Sequence, residues 1–121
     1  MRPEELVPTL ETCVRLKEAG WAKETYFVWM KFPTYLDGMP TGGYVYHVQQ
    51  HSSHPMYPII SAPTLQELLE ELPDWTSIFK QDGIYEVYES GTHKDFSFWD
   101  NHNPAEAAAL LWLELHKEVV V

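Results

Sequence analysis

Cysteine is almost absent: Cys13 stands alone in 121 residues, so no disulfide can form within the chain. Long apolar runs are missing as well. The longest, Ala107 to Leu113, falls far short of the roughly 18 residues that a membrane span needs. The opening Met1-Arg2-Pro3-Glu4-Glu5 lacks the basic-then-apolar layout of a signal peptide, so a cytoplasmic location is expected. Positive charge is scarce too, with 8 Lys and Arg against 18 Asp and Glu, a net charge of −10. Binding to a nucleic-acid backbone draws on clustered Lys and Arg that release counterions, and without such a cluster direct nucleic-acid binding is not expected.

What is present suits a small globular protein. A chain of 121 residues has the length of one domain, and 45% hydrophobic residues with 14% aromatics supply enough bulk for a core. The acidity is lopsided. Residues 1 to 50 hold six acids and five bases, whereas residues 51 to 121 hold twelve acids against Lys80, Lys94 and Lys117. Such a charge keeps a small protein soluble, and it can equally steer a basic partner.

Three helices announce themselves by their openings. Thr9 caps the first, with Leu10, Cys13, Val14 and Leu16 on one face and Gly20 as the stop. Thr64-Leu65-Gln66-Glu67 is a capping box ahead of Leu65, Leu68, Leu69 and Leu72, and Pro73 ends that helix. Asn103 caps the third, with Pro104 at its first position and Glu106 three residues after the cap. Its Ala105, Ala108, Ala109 and Trp112 face, widened by Leu110, Leu111, Leu113 and Leu115, predicts heavy burial.

Between the helices the pattern is that of strands. Tyr26 to Phe32 is aromatic and β-branched, apolar on both faces, and predicts a central strand ended by Pro33. The stretch Gly38 to Gly43 reads as a flexible connection, Tyr44 to Gln49 as a second strand, His51 to Pro58 as a loop, and Ile59-Ile60 as a strand fragment. Ser77 to Lys80 turns through Gln81-Asp82-Gly83 into the alternating strand Ile84 to Glu89, which pairs through Ser90-Gly91-Thr92 with Asp95 to Trp99. The predicted fold is α+β: two layers, an antiparallel sheet of about four to six strands with three helices largely on one face. The predicted order is helix, strands, helix, strands, helix. Pro8-Thr9-Leu10-Glu11 and Pro63-Thr64-Leu65-Gln66 echo each other, which fits either an internal duplication or the shared chemistry of helix starts.

No chemical motif stands out. His47, His51 and His54 are close in sequence, with His93 and His102 further on, and converging imidazoles could hold a divalent metal for a hydrolase. Their strand-and-loop placement does not supply the helical spacing that zinc histidines use. Cys13 falls on an apolar helix face, where a thiol is ordinarily a small core group. Neither a nucleophile elbow nor a phosphate or dinucleotide loop occurs, and no cofactor is expected. Aromatics exceed what a chain of this size can bury, so some are left for contacts.

The stretches Leu10 to Gly20, Ala62 to Pro73 and Asn103 to Leu113, taken together, resemble a loose family of short, uncharacterised proteins encoded by bacteriophages and prophages. The resemblance carries helix openings and core faces, and no catalytic residues. It implies an accessory protein that binds and modulates a host protein, such as a host-defence component, in the host cytoplasm. The surface expected to carry that contact is Glu67, Glu70, Glu71, Glu86 and Glu89 with Tyr85 and Tyr88. A homodimer is expected from the surplus aromatics and the apolar tail Val119-Val120-Val121. The alternatives are a sponge for a nucleotide or other small molecule, a nucleotide base stacking on Tyr or Trp near Arg15, Lys17, Lys23 or Lys31, and the metal-dependent hydrolase.

Overall fold

A computed structural model describes residues 2–72, 76–81, 84–89, 96–101 and 103–117. A 3-10 turn at Pro3–Glu5, here η1, precedes helix α1 (Leu10–Glu18). Strands β1 (Phe27–Leu36), β2 (Met39–Gln50) and β3 (Ile59–Ala62) follow, then α2 (Leu65–Glu71), strands β4 (Thr76–Gln81), β5 (Ile84–Glu89) and β6 (Phe96–Asn101), and α3 (Pro104–Lys117). The fold is α+β, but the predicted single sheet of about four to six strands is replaced by two antiparallel sheets of three, ordered β2-β1-β3 and β4-β5-β6. In the first sheet the earliest strand is central, and in the second the middle one is. The two halves thus share the order of a helix and three strands but differ in how the strands pair.

The helix openings work as their sequences dictate. Thr9 accepts from the Thr12 amide at 3.3 Å. In α2 the Thr64 hydroxyl accepts from the Glu67 amide while the Glu67 carboxylate accepts from the Thr64 amide at 2.8 Å, so two unpaired helix donors are satisfied reciprocally. Asn103 Oδ1 accepts from the Glu106 amide at 3.1 Å. The Glu106 side chain, however, does not turn back on its own helix. It crosses to α1, where it accepts from the Thr9 amide at 2.8 Å and the Thr12 hydroxyl at 2.6 Å. Asn103 Nδ2 donates to the Val7 carbonyl at 2.9 Å, so the starts of α1 and α3 are stitched together.

The helices do not share one face of one sheet. Helix α1 packs on β3, whereas α3 packs on β5 and β6 and also touches α1 and α2. Two buried clusters result. One gathers Leu16, Trp21, Leu68 and Leu72 around the buried Ala105, Ala107, Ala108, Ala109, Leu111 and Trp112 of α3. The alanines bring the α3 backbone close to its neighbours, and Trp21 meets Trp112 edge-on at 5.4 Å between centroids. The other joins Val7, Cys13, Val48 and Ala62, with Phe27, Trp29 and Ile60 packed against them. Helix α1 serves both, through Leu16 and Cys13.

Strand β1 is central, and it runs past Pro33 to Leu36. The reason is register. His51 N donates to Tyr26 O, and Lys31 N donates to Pro58 O, so odd-numbered residues of β1 direct their amides away from β2. Pro33 therefore lacks a donor only on the side where β3 has already ended, with Met30 opposite Ile59 as its last pair. The expected flexible connection from Gly38 to Gly43 is instead a tight turn and the first half of β2. Asp37 and Gly38 have φ of 51° and 78°, the pair of positive angles that a two-residue hairpin turn with the right twist requires. The tail Val119-Val120-Val121, the turns at 82–83 and 90–92, His93 and His102 lie outside the described residues.

Candidate functional site

Because β3 pairs only with Phe27 to Met30, the outer part of the β1–β2 hairpin is a two-stranded arm. A hairpin without a third strand or a helix behind it has nowhere to bury its side chains. Tyr35 (59% exposed), Leu36 (70%), Met39 (69%) and Tyr44 (60%) are accordingly open to solvent. The arm is held by its own devices. Between Pro33 and Tyr35 the register shifts, leaving β2 two residues longer than β1 across a bulge. There the Thr34 and Thr41 hydroxyls bond to each other, and Gly43 N donates to Thr41 Oγ1 at 3.2 Å. Lys31 Nζ lies 4.1 Å from the centre of the Tyr44 ring, a cation–π contact. Phe32 packs near Tyr57 and His47, with ring centroids 5.2 and 5.8 Å away.

The acids expected to form a partner surface are divided. Glu67 is occupied at both oxygens, by the Thr64 amide and, at 3.1 Å, by the Tyr26 amide, so it ties α2 to the foot of β1. Glu71 pairs with Lys23, and Glu71 raises the Lys23 ammonium above its ordinary range by hydrogen bonding and charge. Glu70 is exposed. Tyr85, Glu86, Tyr88 and Glu89 lie on β5, the central strand of the second sheet, with backbones opposite Lys80, Phe79, Ser77 and Thr76 on β4. Their side chains lie outside the described residues.

The histidines are not gathered. His47 is on β2 beside Phe32, His51 Nδ1 lies 3.9 Å from Glu24, and His54 is exposed in the loop before β3. Among the described residues no three His, Cys, Asp or Glu side chains form a group able to hold a metal ion.

A cleft of about 140 Å³ opens between α1 and β3, lined by Cys13, Leu16, Lys17, Trp21, Ile59, Ile60 and Ser61. It is smaller than the roughly 300 Å³ from which ordinary ligand pockets begin. Trp21 is buried, packed edge-on to Trp112, and its Nε1 donates to Lys23 O at 3.1 Å; its ring is committed to the core. The four cations of the nucleotide reading do not converge, since Lys17 borders this cleft, Lys23 pairs with Glu71, Lys31 covers Tyr44, and Arg15 is on the exposed side of α1. Cys13 is fully buried, and its Sγ is 3.6 Å from Pro8 O. Burial, then the charge of Glu106, pushes its thiol from 9.0 up to about 12. A thiol held so firmly protonated is not a nucleophile near neutral pH.

The arm was hidden in the sequence by Pro33 and the glycines, although Asp37-Gly38 is itself a strong hairpin signal. Comparison with protein-family models, curated proteins and solved structures gave no match. Among the described residues no helix is long and apolar enough to cross a membrane.

Proposed function

We propose that this chain is a non-enzymatic accessory protein of the phage type, which binds and modulates a host protein through the β1–β2 arm. The observation that carries the reading is the set of large apolar side chains at the arm's end, Leu36 and Met39 paired across the strands and Tyr35 on the other face, each more than half exposed. Exposed aromatic and Met side chains are the residue types that anchor protein interfaces. The acidic bulk of the molecule, at −10 overall, favours a partner with a basic surface and speeds its approach. The acids on α2 contribute to that long-range field, and Glu70 is the one of the three on an exposed position.

The test is affinity capture from bacterial host lysates at low and high ionic strength, comparing the natural sequence with a Tyr35→Ser, Leu36→Ser, Met39→Ser variant. A host protein retained by the first and lost by the second supports the arm, and weaker retention in high salt supports a basic partner. Retention that ignores the triple substitution, or no retention from any host, overturns the reading.

A further inference from the structure

We infer that a second copy of this chain pairs along the edge of β2 that no strand among the described residues covers, joining the two first sheets into one continuous antiparallel sheet. The three exposed edges of the first sheet are not alike. Strand β3 is four residues long, Ile59–Ala62, and is bracketed by Pro58 and Pro63. The outer edge of β1 beyond β3 holds Pro33 at a position whose donor would face outward. Short length and proline are the ordinary means of keeping strangers off a sheet edge. Strand β2 is long, and its one proline stands at the turn end. It spans Met39–Gln50, holds no Lys, Arg, Asp or Glu, and has no proline after Pro40.

The register names the backbone groups involved. With His51 N bonded to Tyr26 O and Phe27 opposite Gln50, residues 45, 47 and 49 turn their backbone groups inward to β1. Tyr44, Tyr46, Val48 and Gln50 turn theirs outward. Val48 is buried beside Val7, just after η1, which leaves Tyr44 and Tyr46 as the open stretch. Unpaired strand amides and carbonyls are completed by another extended strand.

Charge selects which strand. Residues 26–63 contain one base, Lys31, and one acid, Asp37, so the first sheet is the electrically neutral part of a chain that is otherwise strongly acidic. The repulsion between two like-charged copies is least where such neutral surfaces meet, even with Glu4 and Glu5 of η1 near one end of β2, and Val45 and Tyr44 supply apolar cover on the same strand. An isologous antiparallel pair of β2 edges satisfies both copies at once. This inference does not rest on a host partner.

Sedimentation velocity over a wide concentration range, paired with circular dichroism, tests it. The natural sequence is expected to form a dimer that tightens as salt screens the net charge, the opposite of the salt response expected for a basic host partner. Tyr46→Pro deletes an outward amide and no β1–β2 hydrogen bond; it is expected to raise the dimer dissociation constant by roughly ten- to a hundredfold, because symmetry counts the lost donor twice. Val45→Pro, which removes an inward amide, is the control for damage to the hairpin. Tyr44→Lys keeps every backbone donor and places a charge at the edge, so it is expected to weaken the dimer; it also removes the ring that Lys31 covers, and circular dichroism reads any damage to the hairpin separately. A chain that stays monomeric at its highest attainable concentration overturns the inference, as does a dimer that both Tyr46→Pro and Tyr44→Lys leave unchanged. A monomer that still captures a host protein through the arm overturns it while sparing the proposed function.

Discussion

Glu106 and Thr12 lie 94 positions apart in the chain, yet the Thr12 hydroxyl donates to the Glu106 carboxylate at 2.6 Å in a buried contact. The same carboxylate accepts the Thr9 amide at 2.8 Å, so a residue of α3 supplies an anion to the N-terminus of α1, where the helix dipole favours one. Removing one partner of a buried, charge-assisted bond strands the other. Glu106→Ala is therefore expected to cost about 2–4 kcal/mol and Thr12→Val about 1–3 kcal/mol, measured by denaturant unfolding. The two effects should fall short of additivity in the double variant, because both delete the same bond.

The buried thiol makes a prediction about alkaline pH. Its folded value of about 12 stands above the ordinary 9.0, so the folded state holds the proton more tightly than the unfolded chain. The associated stability is complete below pH 9 and is lost between there and the folded value, at about 1.4 kcal/mol per pH unit. Compared with a Cys13→Ala variant, the natural sequence should lose stability more steeply across that window. In parallel, a thiol reagent at pH 8 should find no reactive group until the protein is unfolded. Prompt reaction in the native state would contradict the burial.

Neighbouring acids on α2 are expected to behave differently. Glu67→Ala removes a capping-box partner and the acceptor of the Tyr26 amide, and should cost about 1–2 kcal/mol. Glu70→Ala, at an exposed position, should stay within about 0.5 kcal/mol. Equal effects at both positions, in thermal unfolding, would remove the structural role assigned to Glu67.

The hairpin turn offers a test of the arm itself. Gly38 has a φ of 78° with open space where a Cβ would stand, so a side chain meets backbone strain and no clash. Gly38→Ala should cost about 1 kcal/mol, while Tyr35→Ser at the exposed arm should leave stability within about 0.5 kcal/mol. Thermal unfolding measures both.

What the sequence disclosed follows from the range over which each signal acts. Thr9, Thr64 with Glu67, and Asn103 are caps whose bonds close within three residues, and such local chemistry is legible from neighbouring letters. Tyr26 to Phe32 is apolar on both faces, which marked β1 as central. The split into two sheets is set by which strands pair at long range, and nothing local encodes it. Pro33 misled because its effect depends on which side of β1 its missing donor faces, a matter of register. At the site, aromatic surplus was visible in composition, but its concentration at Tyr35 and Tyr44 depends on where β3 stops. The glutamates of α2 look solvated on a helical wheel, and only the fold reveals that Glu67 and Glu71 are engaged.

The stitch between α1 and α3 fixes an order of events during synthesis. Ribosomes add about 5–20 residues per second, so Thr12 waits on the order of 5–20 seconds for Glu106 to be made. Until then α1 has its own Thr9 cap but no anion at its start, and the cluster of Leu16, Trp21, Leu68 and Leu72 lacks the helix it packs around. The earliest helix to emerge is thus among the last to be secured, and a nascent chain halted before residue 106 should present α1 to chaperones and proteases as an unfinished element.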